Sequence, residues 1–308
     1  MKHAIIFCVE KGLLEQQALL LINSYMKFSY SKNVQLFAFS PRQKFQPDQI
    51  TLDLFKQYNI IHITESLNSE FLDYPIANKI LCCEYFESKY SEFNSVVFID
   101  TDTVFLNAFC FDAYTKKGLY LKPVGHKGPG SNGVHDKNDK FWLNIFALFN
   151  LSLPSVSFKT TIKSTLIRGY FNAGLIWSVN LSDFYTQWKK DFLTILDSKI
   201  RPPGFISKDG NDFRCLDQVA LAVTASRYEN ELNILPTAYN FHLPFKPIMT
   251  KENSSDFQDL VHVHYHKWFQ HPGFLDHITS DEDKKTEQYL WLKEQLPLKP
   301  IIDDPFKC

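Results

Sequence analysis

Two carboxylates one residue apart close an apolar run. In NSVVFIDTDTVFLN, residues 94–107, the stretch Val96 to Ile99 gives way to Asp100-Thr101-Asp102 before Val104 to Leu106 resumes. Like charges this close raise each other's pKa unless a cation or hydrogen-bond donors offset them. A divalent metal ion would offset them, and carboxylate oxygens suit hard ions such as Mg²⁺ or Mn²⁺. A single aspartate at a strand end caps the following turn; the pair favours a metal site.

Other residues with chemical capacity are spread along the chain. In DLVHVHYHKWF, residues 259–269, His262, His264 and His266 alternate with Val263 and Tyr265, so a strand would turn all three to one side. Two of them are expected to be satisfied, partly buried histidines. Asn172-Ala173-Gly174 interrupts an apolar run in YFNAGLIWSV; glycine there marks a close approach or a β-bulge. Asn172 offers both a donor and an acceptor. Asp217-Gln218 opens the helical pattern CLDQVALAV, where Asp217 is also a good N-cap. Lys79 follows Asn78 at the start of another helical pattern. A helix N-terminus and a cation both favour phosphate, although most lysines are simply solvated.

The elements that must position these residues alternate in type. His3 to Val9, Val34 to Phe39, Ile60 to Ile63 and Val96 to Ile99 read as strands. Leu13 to Phe28, Ile50 to Tyr58 and Ala77 to Tyr90 read as helices; Leu14, Ala18, Leu21 and Tyr25 show the helical spacing. Continuously apolar strands between helices predict an α/β fold with a mainly parallel central sheet covered on both faces. Ligands bind at the carboxyl ends of such strands, where Asp100 and Asp102 fall. Further on, Tyr170 to Val179 and Leu260 to Tyr265 read as strands. Phe184 to Leu196, Phe213 to Ala225 and Asp281 to Leu296 read as helices. The glycine-rich loop at 125–138 is expected to be either a mobile lid or a surface excursion.

Composition narrows the partners. A net charge of −1 gives no electrostatic case for nucleic acid or an anionic membrane surface. The six cysteines form no CxxC pair, so zinc held by cysteine is poorly supported, and Cys8, Cys82 and Cys83 in apolar segments fit a reducing compartment. No apolar run approaches the ~20 residues of a membrane span, and the N-terminus lacks a signal-peptide pattern. These points predict a cytoplasmic protein, able to act at a membrane surface. The oligomeric state is not legible.

Five segments, in order, resemble the GT-A glycosyltransferases, most closely family 8, the glycogenin and lipopolysaccharide sugar transferase type. They are YPIANKILCCEYF (74–86), VVFIDTDTVFL (96–106), YFNAGLIWSVN (170–180), CLDQVALAV (215–223) and DLVHVHYHKWF (259–269). The resemblance implies a GT-A fold with a Rossmann-like nucleotide-binding half, 1–106, and a sugar and acceptor half, 107–280. A C-terminal helix and tail, 281–308, would complete a single domain. It implies a nucleotide-diphosphate sugar donor, UDP-linked, a glycan, lipid-linked or small-molecule acceptor, retention at the anomeric carbon, and Mn²⁺ or Mg²⁺ as cofactor. Asp102 would be a direct metal ligand. Asp100 would bond the ribose or reach the metal, and His264, rather than His262, would complete the set. Asn78, Lys79, Thr101, Asn172, Gly174, His266 and Lys267 would contact the donor, and Asp217 and Gln218 would lie at the reaction centre. Two other readings stay open. The hhhDxDx(T/V) pattern also resembles haloacid-dehalogenase-like phosphatases, with Asp100 as nucleophile and Asp102 as general acid. That motif normally sits on the first strand, and the later acidic pair here, Asp303-Asp304, lies at the extreme C-terminus. The third reading is a catalytically silent nucleotide-sugar-binding module.

Overall fold

A computed structural model of the chain describes residues 1–203 and 215–299. Phe213, Asp303, Asp304 and Cys308, used in the sequence reading, lie outside the described residues. The first hundred residues alternate as predicted: β1 (His3–Cys8), α1 (Leu13–Phe28), β2 (Val34–Phe39), α2 (Gln49–Gln57), β3 (Ile61–Ile63), α3 (Ala77–Lys89) and β4 (Ser95–Ile99). Then follow β5 (Thr103–Phe105), β6 (Gly118–Leu121), α4 (Asp139–Ala147), β7 (Val156–Lys159), β8 (Leu166–Arg168), β9 (Leu175–Val179) and α5 (Phe184–Ser198). The remainder is α6 (Leu216–Ser226), β10 (Leu232–Ile234), β11 (Phe241–His242), β12 (His262–His264), α7 (Phe274–Ile278) and α8 (Glu287–Gln295).

Seven strands form the central sheet in the order β10-β6-β9-β4-β1-β2-β3. Every neighbouring pair is parallel except those of β9, which runs antiparallel to both β4 and β6. Period-two alternation sends residues to opposite faces. Ala4, Ile6, Val96 and Phe98 join a core with α3, α5 and α6. Ile5, Phe7, Val97 and Ile99 join a second core with α1 and the aromatic rings of Phe109, Trp177 and Tyr239. Burial on both faces explains why these strands carry continuous apolar runs.

A second sheet, β11-β12-β5, adjoins the first. Its third core gathers Val104, Leu106, Phe241, Val263, Tyr265 and Phe269. The chain therefore changes sheets at the two aspartates: β4 ends one sheet and β5 begins the other.

The structure corrects several boundaries. Only Leu175–Val179 of the predicted 170–179 strand is strand, because Asn172 Oδ1 accepts from Gly174 N at 2.7 Å, an Asx-type turn in place of a β-bulge. The predicted 260–265 strand shrinks to β12; His266 has φ 54°, which takes it off the strand. The terminal helix of 281–296 splits at Thr286, whose side chain caps α8 by accepting from Tyr289 N. The loop at 125–138 is closed by its own bonds: Lys127 pairs with Asp136, and Asn138 Nδ2 donates to the carbonyls of Gly128 and Gly130 at 3.2 and 3.1 Å. Short strands such as β5 and β11, and helix α4, went unpredicted.

Candidate active site

Backbone bonds pin the aspartate turn on both sides. Asp100 N donates to Gly174 O at 2.9 Å, carrying the β4–β9 pairing one residue past the strand. Thr103 Oγ1 donates to Asp100 O at 2.6 Å. Beyond the turn, β5 runs antiparallel to β12 with Thr103 opposite His264, and Tyr265 N donates to Asp102 O at 3.0 Å. This register brings a histidine 162 residues away in sequence against the second carboxylate. His264 Nε2 lies 3.1 Å from Asp102 Oδ1.

Asp100, Asp102 and His264 each offer a ligand atom within 4.8 Å of the other two. The two carboxylates suit a hard ion such as Mn²⁺ or Mg²⁺, and the imidazole favours Mn²⁺, the transition metal of the two. The side chains around the turn already offset part of this negative charge. Burial raises the Asp100 carboxyl and Asp102 raises it further, against the pull of Lys79. Burial also works upward on Asp102, but His264 and His266 outweigh it and hold that carboxyl well below the usual range. Burial works downward on the His264 imidazole, but Asp102 outweighs it and raises its pKa.

His262 is fully buried, with its ring 5.0 Å from that of Phe105, and neither ring nitrogen is hydrogen-bonded among the described residues. Burial pushes its pKa down to about 3. It is a neutral core histidine, though without the satisfied polar contacts expected for it. His266 leaves the strand, yet its ring returns to 4.1 Å from that of His264, and its Nδ1 lies 3.6 Å from Asp102 Oδ2.

Lys79, in the first turn of α3, sits between two carboxylates: Nζ is 2.9 Å from Asp100 Oδ1 and 3.3 Å from Asp217 Oδ2. These partners overcome the cost of burial and raise its pKa. The geometry makes Lys79 a carboxylate clamp. Asp217 is not an N-cap: Cys215 holds that position, and Asp217 lies within α6 facing Lys79. Gln218, beside it, is half-buried, and its side chain makes no hydrogen bond among the described residues.

Gly174 is required for space. A Cβ there would lie 2.6 Å from His264 Cε1, 2.7 Å from its Nδ1 and 2.8 Å from Asn172 Oδ1. Gly174→Ala is expected to displace the His264 ring, weaken Mn²⁺ binding about 10–100-fold and lower stability by about 1–3 kcal/mol. Calorimetric Mn²⁺ titration beside urea unfolding checks this; unchanged Mn²⁺ affinity would count against it.

The remaining expected residues fall in different places. Asn172 is buried beside the turn, and its Oδ1 also accepts from Asn240 Nδ2 at 2.9 Å. Thr101 is buried in the turn itself, and Lys267 is exposed without an ion pair among the described residues. Asn78 is buried; it donates to Glu10 Oε1 at 3.0 Å and accepts from Asn68 Nδ2 at 2.7 Å. That is an internal role, where a ligand-facing one was expected. The sequence reading missed His242. Parallel pairing of β11 with β12 sets it opposite His264, with ring centroids 5.9 Å apart. The only local signal was one histidine among apolar residues in YNFHLPF.

Among known families, the model described as the Rhodobacterales glycosyltransferase domain matches residues 5–229. No curated protein sequence matches the chain. Among solved structures, the chain is similar to the bifunctional glycosyltransferase WbbM in its apo form, with TM-score 0.50, 11% identity and coverage of 96% of this chain and 51% of that one. The chain thus spans about half the length of WbbM. It is also similar to the galactosyltransferase LgtC in complex with donor and acceptor sugar analogs, with TM-score 0.50, 9% identity and coverage of 96% and 97%. At such identities the likeness speaks for the fold, a mainly parallel sheet flanked by helices, as the sequence pattern predicted.

Proposed function

The chain belongs to the Rhodobacterales glycosyltransferase domain family, and from that premise we propose that it moves a sugar from a UDP-linked nucleotide-diphosphate sugar to a glycan, lipid-linked or small-molecule acceptor. We take the mode to be that of family 8, with retention at the anomeric carbon. The observation that most supports this reading is a convergence at one strand end. The Asp100, Asp102 and His264 ligand set meets the Lys79–Asp217 pair there.

In this reading Asp100, Asp102 and His264 hold Mn²⁺ or Mg²⁺. The ion, when bound, neutralises charge on the diphosphate leaving group. Lys79 fixes the orientation of Asp100 and Asp217 and offsets part of their charge. Asp217 and Gln218 stand in the first turn of α6, and Gln218 has an uncommitted carboxamide to place against the sugar. They would stabilise an oxocarbenium-like centre while the leaving phosphate takes the acceptor proton. Asn172 keeps its Nδ2 for a sugar hydroxyl, since its Oδ1 is already bonded to Gly174 N and Asn240. Thr101, His266 and Lys267 border the same strand ends. The interior thiols of Cys82 and Cys83 fit the reducing cytoplasm. Among the described residues no helix is long and apolar enough to cross a membrane. The phosphatase reading is set aside: the family match is to glycosyltransferases, and β4 is the fourth strand of the chain.

Thermal unfolding with Mn²⁺ and a panel of nucleotide-sugars tests the reading. A cognate donor at about 100 times its Kd should stabilise the chain by about 2.7 kcal/mol. A panel in which no donor raises the melting temperature would reject it.

The acidity of the site yields a further expectation. Because its pKa is raised above the ordinary 6.5, His264 holds its proton over a wider pH range, and an incoming ion must displace that proton as pH falls. Mn²⁺ affinity should therefore fall with decreasing pH, by up to about tenfold per unit with one proton exchanged. Calorimetry in two buffers of different ionisation enthalpy measures that proton directly. Mn²⁺ affinity that is flat between pH 8 and 5 would refute it.

A further inference from the structure

We propose that His242, His264 and His266 form a second, nitrogen-rich metal-binding set. It takes a borderline divalent ion such as Zn²⁺ or Co²⁺ and shares His264 with the carboxylate set. One ring nitrogen from each histidine lies within 4.8 Å of the other two. The His242 ring is near-parallel to both others, at 5.9 Å and 15° from His264 and 5.9 Å and 25° from His266.

The independent observation is what His242 lacks. It is only 4% exposed, and neither ring nitrogen has a hydrogen-bond partner among the described residues; His264 Nδ1 has none either. Buried polar groups are normally satisfied, and leaving one unsatisfied costs free energy. His242 thus brings two unpartnered ring nitrogens to the point where β11, β12 and the turn after β12 meet, and a metal ion would satisfy one of them. Gly125 packs beside the His242 ring: a Cβ there would meet Ile162 Cδ1 at 2.8 Å and stand 3.3 Å from His242 Cδ2.

Ligand chemistry separates the two sets. Carboxylates select Mg²⁺ or Mn²⁺, whereas imidazoles suit zinc, cobalt, nickel and copper, which also stand higher in affinity. Three histidines with a fourth position open is a frequent zinc arrangement. Asp102 can fill that position, lying 3.1 Å from His264 Nε2 and 3.6 Å from His266 Nδ1. An ion held this way withdraws His264 and Asp102 from the carboxylate set, so it competes with Mn²⁺. Binding by the three histidines stands apart from the proposed reaction; only the competition rests on that reading.

The full chain, stripped with a chelator, is titrated with Co²⁺ by visible absorption and with Mn²⁺ by calorimetry. Wild type is compared with Asp100→Asn, His242→Ala and His266→Ala. One Co²⁺ per chain is expected, with the intense bands of a four-coordinate site, retained in Asp100→Asn. Its affinity should fall by roughly 100-fold or more in both histidine variants. His242→Ala should keep Mn²⁺ affinity within about threefold of wild type, because the carboxylate set is untouched. His266, partly exposed, supplies the readout if His242→Ala does not fold. Wild-type Co²⁺ affinity in the histidine variants would overturn the proposal. So would loss of Co²⁺ binding in Asp100→Asn, or the absence of Co²⁺ binding in wild type. Co²⁺ binding that persists where Mn²⁺ never binds would support this set while rejecting the proposed cofactor.

Discussion

Asp102→Asn is expected to reduce release of nucleoside diphosphate from the sugar donor by about a thousandfold or more, while the protein stays folded. In the proposed reaction the bound ion would supply several kcal/mol of charge stabilisation, and each 1.36 kcal/mol is tenfold in rate. The substitution keeps the shape and removes the charge. The turn does not depend on that charge for its position, since Tyr265 N donates to the main-chain carbonyl of Asp102. The loss extends beyond one ligand, because Asp102 is what overcomes burial at His264. In the variant that imidazole reverts towards the neutral form favoured by burial, and the carboxylate set keeps Asp100 alone as an anion. Near-normal thermal unfolding beside collapsed Mn²⁺ affinity and turnover is the expected pattern. Turnover within tenfold of wild type would mean that the metal is not held here. Absence of donor turnover in wild type would instead favour the silent binding module.

Lys79→Met is expected to cost about 3–5 kcal/mol of stability, the range for removing one partner of a buried charge pair. The lower end is the better guide, because the Asp100 side chain is 24% exposed. The effect has a sign in pH. Without Lys79, His264 alone of the charges acting on Asp100 still opposes the upward push of burial and Asp102. A carboxyl whose folded pKa lies above its unfolded value binds more protons when folded, so stability falls as pH rises. The variant should therefore be more destabilised at pH 8 than at pH 5 in urea unfolding. Mn²⁺ should restore part of the loss, since a divalent cation replaces the missing ammonium. Equal destabilisation at both pH values, with no rescue by Mn²⁺, would contradict the clamp.

The parts of this site that were legible in sequence are those carried by long, regular elements. The β4 run and the α1 and α3 patterns bury whole faces, so their periodicity survives in the sequence. Asp100 and Asp102 were visible because a charged pair after an apolar run is rarely mere packing. The switch of sheets after Asp102 was not visible. The strand β5 has three residues and β11 two, too few for a period to register. That is why His242 was missed, since only the pairing of β11 with β12 sets it beside His264. The alternation of three histidines suggested one face, but the positive φ of His266 ended the strand early. Lys79 shows a different limit. Its position at a helix start was readable and suggested phosphate, whereas its carboxylate partners come from residues 21 and 138 positions later in the chain. Asn78 was read from the same helix start, yet the bond to Glu10, two residues past β1, turns it inward.

In the proposed function, Asp100, Asp102 and His264 hold the ion that binds the diphosphate of a nucleotide-sugar. Calorimetric titration of the protein with UDP, with and without Mn²⁺, tests it most directly. Binding that requires Mn²⁺ and disappears in Asp102→Asn is the expected result. UDP binding that ignores Mn²⁺ would contradict it, as would no UDP binding under either condition together with phosphatase turnover abolished by Asp100→Asn.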